Sequence, residues 1–275
     1  MIISLLRSIL YGTVQGITEW LPISSSGHLI LLDSLIGFPT SAPVGGEYRE
    51  LYMLLLQLSS ILAIIVLSFR RLNPFSRQKS RLESHETLKL WLKIIVAELP
   101  LVAVALVFEG IISKYLMNTG IVLSALTVYG VAFIILEKRK SKKTADHISY
   151  GKALGIGAFQ ALSVIPGTSR SGSTILGGML LGVERGKAAE FSFFLAIPTM
   201  LGACALKLED FIFGSAPSLN TEQVAVLAVG MLMSFAVSLV CARFLLEFVK
   251  KHSFAPFGVY RILLAAVIFL ILKLR

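Results

Sequence analysis

A carboxylate, three serines and an imidazole lie within ten residues of one another near the start of the chain, in the stretch QGITEWLPISSSGH. A serine hydroxyl becomes a useful nucleophile when a neighbouring base accepts its proton, and Glu19 or His28 could do so for Ser25. A histidine beside a serine is also often structural, so spacing alone leaves this role open. We predict a proton-transfer and nucleophile centre here, with Ser24 and Ser26 also contacting the bound group.

A second cluster of hydroxyls surrounds an arginine half a chain later, in PGTSRSGST. Arg170 offers planar, bidentate N–H donors that match phosphate oxygens. Serines at the start of a helix can be ordinary caps, but several hydroxyls around an arginine in an apolar chain are hard to explain that way. Free backbone N–H groups at a helix start also favour an anion. We predict a phosphate-binding site formed by Arg170 with Ser169, Ser171 and Thr174.

The two motifs are copies of one pattern, offset by 145 residues. The positions that match are two glycines, a glutamine and two serines: Gly12 and Gly157, Gln15 and Gln160, Ser24 and Ser169, Ser26 and Ser171, Gly27 and Gly172. Chance similarity between two Ser/Gly-rich loops is the alternative, but the register agrees with the charge pattern along the chain. The sequence therefore predicts a polar core that is built twice, with Gln15 as a further substrate contact.

The chain is too apolar for a soluble domain. Hydrophobic residues make up 55% and charged residues 15% of its 275 residues, whereas a soluble domain is about a quarter charged. Runs that approach the roughly 20 residues of a spanning helix lie near 51–69, 92–108, 119–136, 187–206, 222–243 and 256–273. Shorter apolar segments that suit half-spanning helices lie near 1–18, 28–37, 151–165 and 174–183. We predict an all-α integral membrane protein with six transmembrane helices.

The net charge of +10 is explained by membrane topology. Seven Lys/Arg lie in the loop Arg70–Lys93 and six in the loop Lys138–Lys152, and cytoplasmic loops carry such an excess. The linkers near 38–50, 109–118 and 207–222 are neutral or acidic, so they are predicted on the opposite side. No basic stripe carries interleaved aromatic residues in a soluble domain, so nucleic-acid binding is not expected.

Each half crosses the membrane three times, which is an odd number. The second half therefore begins on the side opposite to the first, and the two halves have opposite orientations. We predict one membrane domain, residues 1–275, made of two inverted repeats, about 1–140 and about 150–275. This topology requires each pair of short helices to enter and leave the membrane on the same side. The first pair enters from outside and the second pair from the cytoplasm. Two re-entrant helical hairpins that meet near the midplane place irregular backbone where it lines a cavity.

Two further ionisable residues fall in predicted spans, where a charge is costly. Glu98, just before Pro100, is predicted to be an interhelical hydrogen-bond partner. Arg261, next to Tyr260, is predicted to anchor or pair near the cytoplasmic end of the last span.

The segments QGITEWLPISSSGHL, PGTSRSGSTI, AEFSFFLAIPTMLGA and HSFAPFGVYRI resemble the undecaprenyl-diphosphatase family, also called bacitracin-resistance proteins, and the resemblance covers essentially the whole chain. It implies a membrane enzyme that hydrolyses the terminal phosphate of a C55 polyprenyl diphosphate. The monophosphate product is the lipid carrier for cell-wall and surface-polysaccharide synthesis, and bacitracin resistance follows because less diphosphate remains to be captured. The resemblance also implies an inverted repeat with two re-entrant hairpins.

Family motifs map onto numbered residues of this chain. The resemblance gives Glu19 as the second acid of an acidic pair and Ser25 and His28 as the hydroxyl and imidazole of the first loop. Ser169, Arg170 and Thr174 match the second loop.

The chain departs from the family at two positions. Gln15 stands at the first acidic position and Met53 where an acid often precedes Gln57. Family activity implies a divalent cation, Mg or Ca, with Glu19 as the ligand here, but an amide contributes no charge to a metal.

The mechanism we expect brings a lipid diphosphate from the outer leaflet to the hairpin junction, on the extracytoplasmic side of the cell membrane. Arg170 holds the phosphates and Ser25 or a water attacks, while His28 and Glu19 exchange protons or hold the metal. A flippase or transporter of polyprenyl phosphate is an alternative, because inverted repeats with broken helices are typical of transporters. An inactive or regulatory homologue is another, and the sequence leaves a homodimer open.

Overall fold

Ten α-helices form the regular structure of the part of the chain that the computed structural model describes, residues 1–40, 46–111, 119–138, 147–213 and 219–273. They are α1 (Ile2–Thr18), α2 (Ser25–Ile36), α3 (Gly46–Leu72), α4 (Arg81–Ile111), α5 (Thr119–Lys138), α6 (Tyr150–Ala161), α7 (Arg170–Leu180), α8 (Arg185–Phe213), α9 (Thr221–Lys251) and α10 (Ala255–Lys273). A short 3₁₀ turn, Leu162–Val164, follows α6.

Six helices are long and apolar enough to cross a membrane, namely α3, α4, α5, α8, α9 and α10. Each contains one of the six predicted runs, so the prediction of an all-helical membrane protein with six candidate spans is confirmed. The other four helices have 11 to 17 residues. At 1.5 Å per residue they extend roughly 17 to 26 Å, less than the ~30 Å hydrocarbon core of a bilayer.

Both polar motifs end at the start of a short helix, and they do so in the same way. Ser24 and Ser169 are the N-caps of α2 and α7, and they are the two non-glycine residues with positive φ in the described structure, at 73° and 69°. Each side chain accepts a hydrogen bond from the backbone N–H three residues later. These caps start α2 at Ser25 and α7 at Arg170, three and four residues earlier than the hydropathy pattern predicts.

Helix α1 packs against α9, and α6 packs against α4. Matching glycines of the two motifs lie at these crossings. A Cβ atom on Gly12 would lie well under 3.0 Å from the Gly230 carbonyl oxygen, and one on Gly157 equally close to the Ala97 carbonyl oxygen. Small residues at such crossings let helix backbones approach closely. The repeated glycine is therefore a packing residue in both halves.

The turns rich in lysine and arginine meet at one end of the bundle, which we call the basic end. Three contacts join them: Arg185 Nη1 donates to the His252 carbonyl (2.9 Å), Lys152 Nζ donates to the Gly182 carbonyl (3.4 Å), and Arg71 pairs with Glu190. At the opposite end the Tyr48 hydroxyl of α3 donates to the Gln223 carbonyl of α9. Residues 112–118 of the linker predicted near 109–118 and residues 139–146 of the basic loop after Lys138 lie outside the described residues. The linker predicted near 207–222 is shorter than expected, because α8 continues to Phe213 and α9 begins at Thr221, and residues 214–218 lie outside the described residues.

Replacing Gly157 by alanine tests the close crossing of α6 and α4. A backbone carbonyl cannot move aside for the new methyl group, so we expect a loss of roughly 1–3 kcal/mol in stability, typical of overpacking. The measurement is the thermal unfolding temperature of the purified protein in detergent. Gly151→Ala is the matched control, because Gly151 lies in the same helix with no atom within 4 Å of its added Cβ. Equal unfolding temperatures of the two variants would contradict this account.

Candidate active site

A cavity of about 170 Å³ lies between the two polar motifs. Its wall combines residues of both halves of the chain, mostly polar ones, with Pro166 and Gly167 at the second loop. The polar side chains that line it are Glu19, Ser25, Ser26, Gln57, Ser163, Ser169, Arg170 and Ser171. The two motifs therefore converge on one space.

Glu19 connects the parts of this site. Its Oε1 accepts a hydrogen bond from Arg170 Nη2 at 2.9 Å, and its Oε2 accepts from Gln15 Nε2 at 3.0 Å and from Ser25 Oγ at 2.9 Å. The Glu19 and Arg170 side chains are only 5% and 8% exposed. A buried ion pair is tolerated when further hydrogen bonds satisfy its members, and here they do so for the carboxylate. The ion pair joins α7 to the end of α1, and the hydrogen bond from Ser25 brings the start of α2 into the same cluster.

Arg170 retains donor capacity beyond this pair. Its Nη1 donates to the Ser192 carbonyl at 3.2 Å, while its buried Nε has no partner among the described residues. The guanidinium lies 5.9 Å from the ring centroid of Trp20. Arg170 is also the first residue of α7, where the positive end of the helix favours an anion. An unpaired N–H at this place suits a phosphate oxygen.

His28 lies outside the lining of this cavity. Its Nδ1 is 2.8 Å from the Ser24 carbonyl and its Nε2 is 2.7 Å from the Tyr260 hydroxyl. Because a carbonyl only accepts, these contacts assign the proton to Nδ1 and make Nε2 the acceptor from Tyr260. The base in contact with the Ser25 hydroxyl in this structure is therefore Glu19, and the imidazole holds the first turn of α2.

The remaining predicted site residues are divided between the cavity and its support. Ser26 lines the cavity, and Ser171 lines it while its hydroxyl donates to the Glu19 carbonyl at 3.3 Å. Thr174 lies behind Arg170, with its hydroxyl 2.6 Å from that of Ser192. Gln15 contacts the site through Glu19, and Ser24 caps α2.

Arg261 is the residue whose place the sequence reasoning missed. The sequence predicts that it anchors or pairs near the cytoplasmic end of the last span, but the side chain is 0% exposed and lies beneath both motifs. It donates to the Pro22 carbonyl of the first motif (3.1 Å) and to the Gly167 and Thr168 carbonyls of the second (2.7 and 3.0 Å). The sequence did contain a signal for this buried role, namely the arginine itself, because a charged side chain in a 19-residue apolar helix requires buried partners.

An apolar groove of about 450 Å³ adjoins the cavity. Ser26 and Gln57 line both spaces. The groove is otherwise lined by Leu29, Ile30, Met53 and Leu54, with the charged residues Asp33, Arg49 and Glu50. Together the two spaces suit a ligand with an apolar chain and an anionic head.

The site residues do not fit a resident divalent cation. Among the described residues no group of three or more His, Cys, Asp and Glu side chains is placed to hold a metal. Glu19 is the one carboxylate of the cavity wall, and both of its oxygens already accept from a guanidinium, an amide or a hydroxyl. Protein sites for Mg²⁺ or Ca²⁺ are built mainly from oxygen ligands, and an adjacent guanidinium opposes a cation.

These features define a multi-pass membrane protein in which a guanidinium, a carboxylate and a hydroxyl meet in one buried cluster. The family model described as "Bacitracin resistance protein BacA" matches residues 8–267, and the chain belongs to this family. It is 45% identical to "Undecaprenyl-diphosphatase 1" of Clostridioides difficile (strain 630), over 97% of this chain and 96% of the relative. It is 44% identical to the undecaprenyl-diphosphatase of Lactococcus lactis subsp. cremoris (strain SK11), over 96% and 95%. The family resemblance seen in the motifs is thus confirmed.

Replacing Arg261 by methionine tests its structural role. The variant keeps the apolar stem but leaves buried carbonyls of both motifs without their donor, so we expect a loss of about 3–5 kcal/mol, as when a buried charge network is broken. The readout is the unfolding temperature in detergent. Arg243→Met is the matched control, because Arg243 is exposed on α9. A similar small effect of both substitutions would refute this role.

Proposed function

We propose that this protein is an undecaprenyl-diphosphate phosphatase, a hydrolase that converts the polyprenyl diphosphate to its monophosphate and inorganic phosphate. The observation that carries the proposal is the contact of Arg170, Glu19 and Ser25 in a cavity that opens into an apolar groove. The names of the relatives support the same reaction. Recycling of the lipid carrier for cell-wall synthesis and resistance to bacitracin follow from it.

The substrate lies with its first prenyl units in the groove beside Leu29 and Met53 and its head in the cavity. The terminal phosphate accepts from Arg170, whose Nε is free of protein partners in the described structure. Ser169 and Ser171 face the same space. Ser169 adds a hydroxyl donor, and Ser171 can add another once its hydroxyl turns from the Glu19 carbonyl to the phosphate. This arrangement holds the diphosphate at the junction of the two motifs.

In the reaction the Ser25 hydroxyl attacks the terminal phosphorus, and Glu19 accepts its proton across their 2.9 Å hydrogen bond. The bridging P–O bond breaks and the polyprenyl monophosphate leaves with the proton that Glu19 returns to it. Glu19 then takes a proton from the water that attacks the phosphoserine and passes it to the departing serine oxygen, so that inorganic phosphate is released and the hydroxyl is restored. Arg170 stabilises the charge on the equatorial oxygens in both steps. His28 acts by holding the first turn of α2, which carries Ser25.

The topology that suits this reaction is an inverted repeat with two re-entrant hairpins, α1–α2 and α6–α7. Three observations support it: these helices are short, the N-caps of α2 and α7 are alike, and the packing of α1 on α9 matches that of α6 on α4. Arg49 and Glu50 of the groove lie near the start of α3, far from the basic end. Because basic turns face the cytoplasm, the groove opens towards the outer leaflet and the site faces the extracytoplasmic side.

A divalent cation, Mg or Ca, is proposed to arrive with the diphosphate and to be held by substrate oxygens. Among the described residues Glu19 is the one carboxylate of the cavity wall, and it could contact such a cation only after the phosphate has taken Arg170 from it. A homodimer would repeat this site once in each chain.

Replacing Arg170 by alanine tests the proposed function. Without its phosphate donor, kcat/KM should fall at least 100-fold, in line with the loss of a transition-state donor, while the protein remains in the membrane. The measurement is inorganic phosphate released from undecaprenyl or farnesyl diphosphate by purified protein in detergent, with and without EDTA.

Arg243→Ala, on the exposed side of α9, is the matched control and should retain wild-type activity. Near-normal activity of the Arg170 variant would defeat the assignment. A protein that only moves the lipid across the membrane would release no phosphate even as wild type.

Gln15→Glu tests how the cation is held. The amide of Gln15 now donates to Glu19, so the substitution creates a carboxylate pair that can bind a divalent ion. We expect the Mg²⁺ concentration for half-maximal activity to fall several-fold. Gln160→Glu makes the same change in the second motif and should leave this concentration unchanged. An unaltered Mg²⁺ requirement in the Gln15 variant would contradict the proposal, and an inert wild type with an active variant would support the regulatory homologue.

A further inference from the structure

Glu98 is a carboxylate within the candidate span formed by α4, and the mechanism above does not use it. Its Oε1 accepts from Thr199 Oγ1 of α8 at 2.6 Å, and its Oε2 accepts from Gln160 Nε2 of α6 at 3.0 Å. These bonds confirm the predicted interhelical role. A carboxylate in a span is nevertheless costly, and such residues are usually functional. Thr199 and Gln160 are both neutral, so a neutral side chain at position 98 could have joined them without placing a charge in the span.

The same bond occurs in the first motif. Gln15 Nε2 donates to Glu19 Oε2 at 3.0 Å, as Gln160 Nε2 donates to Glu98. In sequence register the position that matches Glu19 is Val164, which has no carboxylate. Glu98 thus supplies from a different helix the carboxylate that the second motif lacks, and the paired glutamine–carboxylate arrangement is kept in both halves.

Glu98 lies behind the cavity wall. Its partner Gln160 is one turn from Ser163, and its partner Thr199 is next to Met200; Ser163 and Met200 both line the cavity. Arg170 contacts the same face of α8 two helical turns away, because its Nη1 donates to the carbonyl of Ser192, seven residues before Thr199 and so about 10 Å along the helix. Arg170 therefore lies in the field of two carboxylates, one in direct contact and one behind the wall.

We propose that Glu98 is a positioning residue that limits the affinity of Arg170 for phosphate, so that the inorganic phosphate product can leave. A buried guanidinium facing an anion interacts with it strongly because the surrounding dielectric is low. When phosphate displaces Glu19 from Arg170, Glu98 is the carboxylate that still opposes the bound anion. Its role in turnover rests on the proposed function, whereas its effect on anion affinity does not.

Glu98→Gln removes the charge and keeps the shape. The new amide oxygen still accepts from Thr199, and its N–H can donate to Gln160 Oε1, a buried oxygen without a partner among the described residues, once the Gln160 amide rotates. We expect the inhibition constant for inorganic phosphate to fall about tenfold, with a lower KM and a lower kcat because product leaves slowly. A purely structural role would not tighten phosphate binding.

The matched control is Glu137→Gln. The Glu137 side chain is also mostly buried and accepts from the backbone N–H of Phe254 at 2.8 Å, at the basic end. Its replacement should leave the inhibition constant for phosphate unchanged. An unchanged constant in the Glu98 variant, or an equal change in both variants, would overturn the proposal.

A second measurement separates this inference from the proposed function. Inorganic phosphate should raise the unfolding temperature of the wild type, and the rise should begin at about tenfold lower phosphate in Glu98→Gln. If the wild type binds phosphate but releases none from a lipid diphosphate, only the proposed function fails. If phosphate stabilises neither protein, or both at the same concentration, the inference about Glu98 fails.

Discussion

The buried guanidinium of Arg261 is the constraint on which the site depends. The two motif loops interrupt helices in the interior of the protein and leave backbone carbonyls there that need donors, because each buried carbonyl left unsatisfied costs free energy. Arg261 donates to carbonyls of both loops from one side chain, so it satisfies them and fixes the distance between the loops at the same time. The two serine caps at positive φ, Ser24 and Ser169, are backbone conformations that persist only under such restraint.

On this shared frame the two motifs carry different chemistry. The first provides a carboxylate and a hydroxyl, Glu19 and Ser25, and the second provides the guanidinium of Arg170. Neither motif alone could bind a phosphate and activate a nucleophile. The ion pair between Glu19 and Arg170 therefore makes one site of two similar loops. The helices that lead into the loops are themselves closely packed, α1 on α9 at Gly12 and α6 on α4 at Gly157.

Composition and spacing were sufficient for the spans and for the grouping of Glu19, Ser25 and Arg170 near one another, because hydropathy and repeated motifs are local properties. They were insufficient where a contact joins distant segments. The bond between His28 and Tyr260 spans 232 positions, and the partners of Arg261 lie on three parts of the chain. The starts of α2 and α7 were missed for a different reason, since a serine cap outweighs the apolar pattern that follows it.

The resting ion pair bears on how the proposed reaction would begin. Arg170 and Ser25 both contact the Glu19 carboxylate, so the proposed phosphate-binding residue and the proposed nucleophile share one partner. They use different oxygens of it, because Arg170 donates to Oε1 and Ser25 donates to Oε2. A diphosphate that binds Arg170 competes with Oε1 for the guanidinium and leaves the bond from Ser25 to Oε2 intact. In the proposed mechanism the substrate therefore replaces one contact of the site, and the nucleophile stays beside its base while it does so.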